Sequence, residues 1–169
     1  MNITLPDGSV KTFDAPVTVL EIAKSISEGL ARNACCGLVN GEVKDLRYEV
    51  ADDAKVSICT FDDPDGKRAF RHTASHIMAQ AIKHLFPETK LAIGPSIEDG
   101  FYYDFDRETP FTEDDLRKIE EEMKKIVKED LPLERFTLPR AEAIAFMKEK
   151  DEPYKVELIN DLPEDSVIS

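Results

Sequence analysis

The stretch RHTASHIMAQAIKHLF, Arg71 to Phe86, sets two imidazoles four residues apart, at His72 and His76. On a helix that spacing puts two side chains one turn apart on the same face. There they can grip a metal ion, a water molecule or an oxygen of a substrate. On a wheel turning about 100° per residue, Ala74, Ile77, Met78, Ala81, Ile82 and Leu85 fill an arc of about 140°. Both histidines lie on the far side, near Lys83, while His84 sits at the edge of the apolar stripe and reads as structural. The pair is therefore off the core-facing side, which leaves two readings: exposed residues without a task, or part of a site.

Metal chemistry needs more than the helix supplies. A zinc protease helix carries a glutamate after its first histidine as general base, and here that position is Thr73. A zinc centre takes three or four protein ligands, so His72 and His76 amount to a partial metal site. Cys35, Cys36 and Cys59 all precede the helix, in strand-like runs where thiols serve as small apolar residues. Three cysteines, two of them adjacent, do not make a disulfide framework, and a reducing cytoplasm is the expected location.

The chain has 169 residues, 41% hydrophobic and 34% charged, enough to bury one large core or two small ones. It lacks an apolar run of the roughly 18 residues that suggest a membrane span, and MNITLPDGSV lacks the pattern of a signal peptide. Six basic residues face nine acidic ones up to Phe61, and sixteen face twenty-six beyond it, for a net charge of −13. Such a chain has no broad basic surface for unspecific nucleic-acid binding. Any RNA contact is confined to a local patch.

Stepping outward to the elements, residues 1–61 read as two hairpins, a crossing helix and a closing strand. The hairpins turn at Pro6-Asp7-Gly8 and Asn40-Gly41. Thr18 is a candidate N-cap for a helix whose inner face carries Leu20, Ala23 and Ile26. The strand AKVSICTF closes a small α+β roll of the ubiquitin-like, β-grasp type. Residues 62–67, DDPDGK, are polar and turn-rich and read as a linker.

Beyond them the spacing predicts the histidine helix over 69–85, GFYYDF as an alternating strand, and a long helix capped by Thr112. Leu116, Ile119, Met123, Ile126 and Val127 mark that helix's apolar stripe. LERFTL reads as a strand, PRAEAIAFMKEK as a helix and YKVELI as a further strand. Phe101, Tyr103 and Phe105 share one face of GFYYDF, so Tyr103 points inward, as packing or as a pocket wall. Lys155 is a solvated strand-end charge or a pocket residue.

The order of a β-grasp module, an Arg-His-x-x-x-His helix, IGPSIEDGFYYDF and YKVELI resembles the amino-terminal region of bacterial threonyl-tRNA synthetases. The resemblance covers essentially the whole chain. It implies a TGS domain over residues 1–61 and, over 68–169, the amino-terminal part of an editing domain that removes serine wrongly attached to threonine tRNA. By position it makes His72, His76 and Lys155 catalytic and Tyr103 substrate-binding. The family completes this pocket with an Asp-x-Cys-x-Gly-Pro-His segment that is not found here, so the editing domain is expected to be incomplete. The implied partner is the acceptor arm of threonine tRNA, with no membrane. ATP, zinc and the contacts of a homodimer belong to a catalytic domain outside these residues. Two rival readings are a free-standing TGS-containing RNA-binding or regulatory protein and a trans-editing aminoacyl-tRNA hydrolase.

Overall fold

In the computed structural model, which describes residues 1–169, the chain divides into two compact units, Met1–His72 and Thr73–Ser169. The first opens with β1 (Asn2–Thr4) and β2 (Val10–Thr12), an antiparallel hairpin. Then come β3 (Val17–Thr18), α1 (Val19–Ile26), α2 (Glu28–Asn33), β4 (Ala34–Val39), β5 (Glu42–Lys44), β6 (Glu49–Val50) and β7 (Ala54–Thr60). The main sheet runs β2-β1-β7-β4-β5, with β1 and β7 parallel and the other neighbours antiparallel. That is the expected β-grasp.

Thr18 caps α1 as its sequence indicates: Glu21 N donates to its hydroxyl at 3.2 Å, and Thr18 N donates to the Glu21 carboxylate at 2.8 Å. The buried face of α1 is Val19, Ile22 and Ala23, whereas Ile26 is exposed. The expected phase is off because Val17 and Val19 both point inward, so β3 fixes the turn on which the helix begins. The helix α2 was not expected; Ser27 caps it, accepting from Leu30 N at 3.0 Å.

Cys36 and Cys59 face each other across the β4–β7 ladder, and both are buried. Burial, with the Cys59 thiol beside it, pushes the Cys36 thiol up to about 12. A thiol held protonated is a poor nucleophile. In native buffer an aromatic disulfide reagent is therefore expected to label Cys35 first. Labelling of Cys36 and Cys59 should appear only with denaturant, and fast native labelling of all three would contradict their burial.

The break between the units falls inside α3 (Pro64–Leu85). This helix starts earlier than the expected Ala69, because Pro64 suits a first helical position and the Asp63 carboxylate accepts from Thr60 N at 2.7 Å. Gly66, which looked like a turn residue, lies in that first turn; a β-carbon there would collide with the Thr60 carbonyl.

The second unit continues with β8 (Lys90–Leu91), β9 (Ser96–Ile97), β10 (Gly100–Phe101), β11 (Phe105–Asp106), α4 (Glu113–Glu129), α5 (Arg140–Glu149) and α6 (Pro153–Asp161). Its core joins Ala81 and Ile82 of α3 to Ile119 and Ile126 of α4. Thr112 caps α4, accepting from Asp115 N at 3.2 Å. The stripe on α4 is narrower than expected, since Leu116 and Val127 are exposed.

Three strand expectations need correction. GFYYDF is not one strand: β10 pairs with β9, β11 pairs with β8, and Tyr102 to Asp104 lie between. Its inward alternation nevertheless holds, for Phe101, Tyr103 and Phe105 are less exposed than their neighbours. LERFTL forms no ladder beyond a single bridge from Leu138 to Ile168, and Leu133 and Phe136 are exposed.

YKVELI is helical. Pro153 opens α6, and Lys155 N and Val156 N both donate to the Glu152 carbonyl. In so short a window an alternating pattern and a helical one overlap, and the proline was the deciding signal. Lys155 therefore stands in the first turn of a helix and not at a strand end.

Candidate functional site

Tyr103 and Lys155 are far apart in sequence and meet in the second unit. The Lys155 ammonium lies 3.4 Å from the Tyr103 hydroxyl and 5.6 Å from the centre of its ring. It also donates to the Ala92 carbonyl at 2.6 Å. An ammonium has three N–H donors, so with these two contacts made, one is left for an incoming oxygen. Burial lowers the Lys155 pKa, and the nearby Glu152 carboxylate pulls it back up. Burial raises the Tyr103 phenol, and Glu152 adds to the effect. The site is a half-buried cation with a protonated phenol beside it.

The segment under these groups is held from several sides. Ala92 N donates to the Asp104 carbonyl at 3.0 Å, and Asp104 N donates to the Ile93 carbonyl at 2.8 Å. Tyr103 lies flat on Phe105, ring centres 4.8 Å apart. Its other neighbour is Gly94, where any β-carbon would enter the ring. The Gly94 carbonyl in turn accepts from the hydroxyl of Ser75 at 3.0 Å, and Ser75 is fully buried on α3.

His72 and His76 are both exposed on α3, one turn apart, and both engage neighbouring groups. His76 belongs to the second unit with Tyr103 and Lys155, and His72 is the last residue of the first. His84 pairs with Glu122 at 3.1 Å, a surface contact between α3 and α4. No group of three or more His, Cys, Asp or Glu side chains is placed to hold a metal ion. Two imidazoles alone do not fit a zinc centre.

Sequence reasoning missed Ser75, Gly94, Ala92 and Glu152. Ser75 carried a signal, because on the wheel its hydroxyl falls at the border of the apolar stripe, about 20° from Ile82 and in one row with Ala79. Such a residue needs a partner. Gly94 was legible only as a turn beside Pro95. A backbone carbonyl such as that of Ala92 leaves no mark on residue type at all.

Chemically, the pair offers a donor for an oxyanion or phosphate at Lys155 and a phenol for shape and hydrogen bonding at Tyr103, with the His76 imidazole on α3 in the same unit.

Residues 1–60 match the TGS domain. Over all 169 residues the chain is similar to proteins named threonine--tRNA ligase: 63% identical in Clostridium perfringens strain 13, 65% in Clostridium botulinum strain Eklund 17B and 57% in Desulforamulus reducens. It spans about a quarter of their length, 26% of the first two and 27% of the third. With a β-grasp at its head and full-length identity behind it, the chain matches the amino-terminal region of bacterial threonine--tRNA ligases.

Proposed function

We propose that this chain is the tRNA-handling and proofreading part of a threonine--tRNA ligase, acting by hydrolysis of seryl-tRNA made in error. Residues 1–61 form the TGS domain and residues 68–169 the amino-terminal part of the editing domain, while the expected link at 62–67 is replaced from Pro64 onward by the first turn of α3. What supports the reading most is Lys155 converging on Tyr103 and the Ala92 carbonyl in the same unit as His76. Identity to the ligases across the whole chain adds to it.

The reaction breaks the ester between an amino acid and the tRNA 3′-terminal ribose. It requires a positioned water, a proton for the departing ribose oxygen and stabilisation of the carbonyl oxygen. His72 and His76 position the 3′ end and the water, and share the proton transfer with the Asp-x-Cys-x-Gly-Pro-His segment of the longer enzyme. The free N–H of Lys155 meets the developing oxyanion or a phosphate. Tyr103 walls the pocket. Serine and threonine differ by one methyl, worth about 1–3 kcal/mol in binding, too little for a single sieve.

The partner is the acceptor arm of threonine tRNA. ATP and zinc serve the remainder of the longer enzyme, in a cytoplasmic homodimer. No helix here is long and apolar enough to cross a membrane.

In an enzyme that carries this chain as its amino-terminal part, deleting residues 1–169 is expected to abolish deacylation of seryl-tRNA while threonine-dependent pyrophosphate exchange persists. Single-turnover deacylation of labelled seryl-tRNA is the measurement. Unchanged deacylation after the deletion would refute the assignment.

A further inference from the structure

We infer that Ser75 is a positioning residue, which acts through the Gly94 carbonyl to hold Tyr103 and Lys155 in their mutual geometry. The inference deepens the proofreading reading and rests on it for its functional meaning, but its structural content stands alone. Ser75 is fully buried, one residue before His76 on α3, and its hydroxyl donates to Gly94, 19 residues away. Gly94 carries the Tyr103 ring directly on its α-carbon, in a space that admits no side chain. Two residues earlier in the same segment, the Ala92 carbonyl accepts the Lys155 ammonium. One segment, Ala92–Gly94, thus sets both functional groups, and Ser75 ties that segment to the helix bearing His76.

The physical reason for a serine follows. An alanine would leave the half-buried Gly94 carbonyl without this donor, and a carbonyl partly withdrawn from water seeks another partner. The segment then shifts toward a new donor. Because Tyr103 rests on Gly94 with no slack and the Lys155 bond is short, a small shift is felt at both. Proline at position 95 stiffens the segment on its far side, so the displacement is passed on and not absorbed locally.

The experiment compares the 169-residue chain with Ser75→Ala and Ser75→Cys, the latter keeping the volume with a weaker donor. Two signals are followed by NMR: cross-peaks between the Gly94 α-protons and the Tyr103 ring, and the titration of the Lys155 ammonium. Binding of an adenosine carrying serine through a 3′ amide, in place of the labile ester, is measured alongside in the longer enzyme that carries this chain as its amino-terminal part, with and without the same substitutions. In Ser75→Ala the cross-peaks should be lost or weakened, and the Lys155 titration should rise toward that of an exposed lysine. Amide binding should weaken by about ten-fold, the equivalent of about 1.4 kcal/mol, with Ser75→Cys between it and the parent. Should Ser75→Ala not fold, Ser75→Cys alone must still move both NMR signals. Unchanged cross-peaks and an unchanged Lys155 titration in a folded variant would overturn the inference. If the NMR signals move but the longer enzyme binds the amide neither as parent nor as variant, the positioning role stands and the proofreading reading falls.

Discussion

Replacing His76 by alanine in the longer enzyme is expected to slow deacylation of seryl-tRNA by about 100-fold or more, the usual scale for a general acid–base group. His76 is exposed and lies off the apolar side of α3, so no core packing is lost. Melting temperature and threonylation should therefore stay at the parent's values while editing fails. The loss should appear in the single-turnover rate at saturating enzyme and not only in the concentration dependence, because a proton-transfer group acts in the transition state. His76→Gln, which keeps a polar group of similar reach but cannot titrate, should be nearly as slow as alanine. An enzyme with His76→Ala that edits like its parent would show the histidine helix to be a solvated face and no more.

The second large effect is on stability. Lys83 sits in the last turn of α3 and donates to the carbonyls of Pro87 and Thr89 at 2.9 and 3.1 Å and to the Glu152 carboxylate at 2.9 Å. The side chain of Glu152 is only 9% exposed and otherwise accepts from Leu91 N at 3.3 Å. Lys83→Met keeps the aliphatic stem but leaves a nearly buried carboxylate with one long hydrogen bond and two carbonyls without their cation. Removing one partner of a buried pair costs about 3–5 kcal/mol. Since Lys83 itself is partly exposed, the lower end applies, about 3 kcal/mol, a large share of the 5–15 kcal/mol of a typical domain. Urea denaturation should show the midpoint fall accordingly. Adding Glu152→Gln, which removes the stranded charge, should recover part of the loss. A change under about 0.5 kcal/mol for Lys83→Met would mean that water already screens the pair.

What could be read from residue types divides along a physical line. The first unit was legible because its signals are local: Thr18 and Glu21 make a reciprocal cap, Asn40-Gly41 dictates a two-residue turn, and alternation marks β7. Fold class followed from the order of such elements. In the second unit the decisive partners are distant. YKVELI has strand-like alternation over six residues, and only Pro153 spoke for a helix. LERFTL has strand composition but pairs only through Leu138, in a single bridge to Ile168. Within the site, the side chains that carry chemistry were legible, and the framework that aims them was not. Ser75 was visible as a hydroxyl at the border of a stripe, Gly94 as a turn, and the Ala92 carbonyl not at all.

The bond from Lys155 to the Ala92 carbonyl spans 63 residues of chain, and that separation has a meaning during synthesis. A ribosome adding about 5–20 residues per second needs on the order of 3–13 s to pass from one partner to the other. The β-grasp unit has all its strands once Thr60 is made, so it can close while the rest is still being polymerised. The histidine helix and the Ala92–Gly94 segment then wait for a cation that arrives last. In a nascent chain the Ala92 carbonyl is present seconds before the ammonium it will accept from, so this bond can form only after all the strands of the first unit have been made.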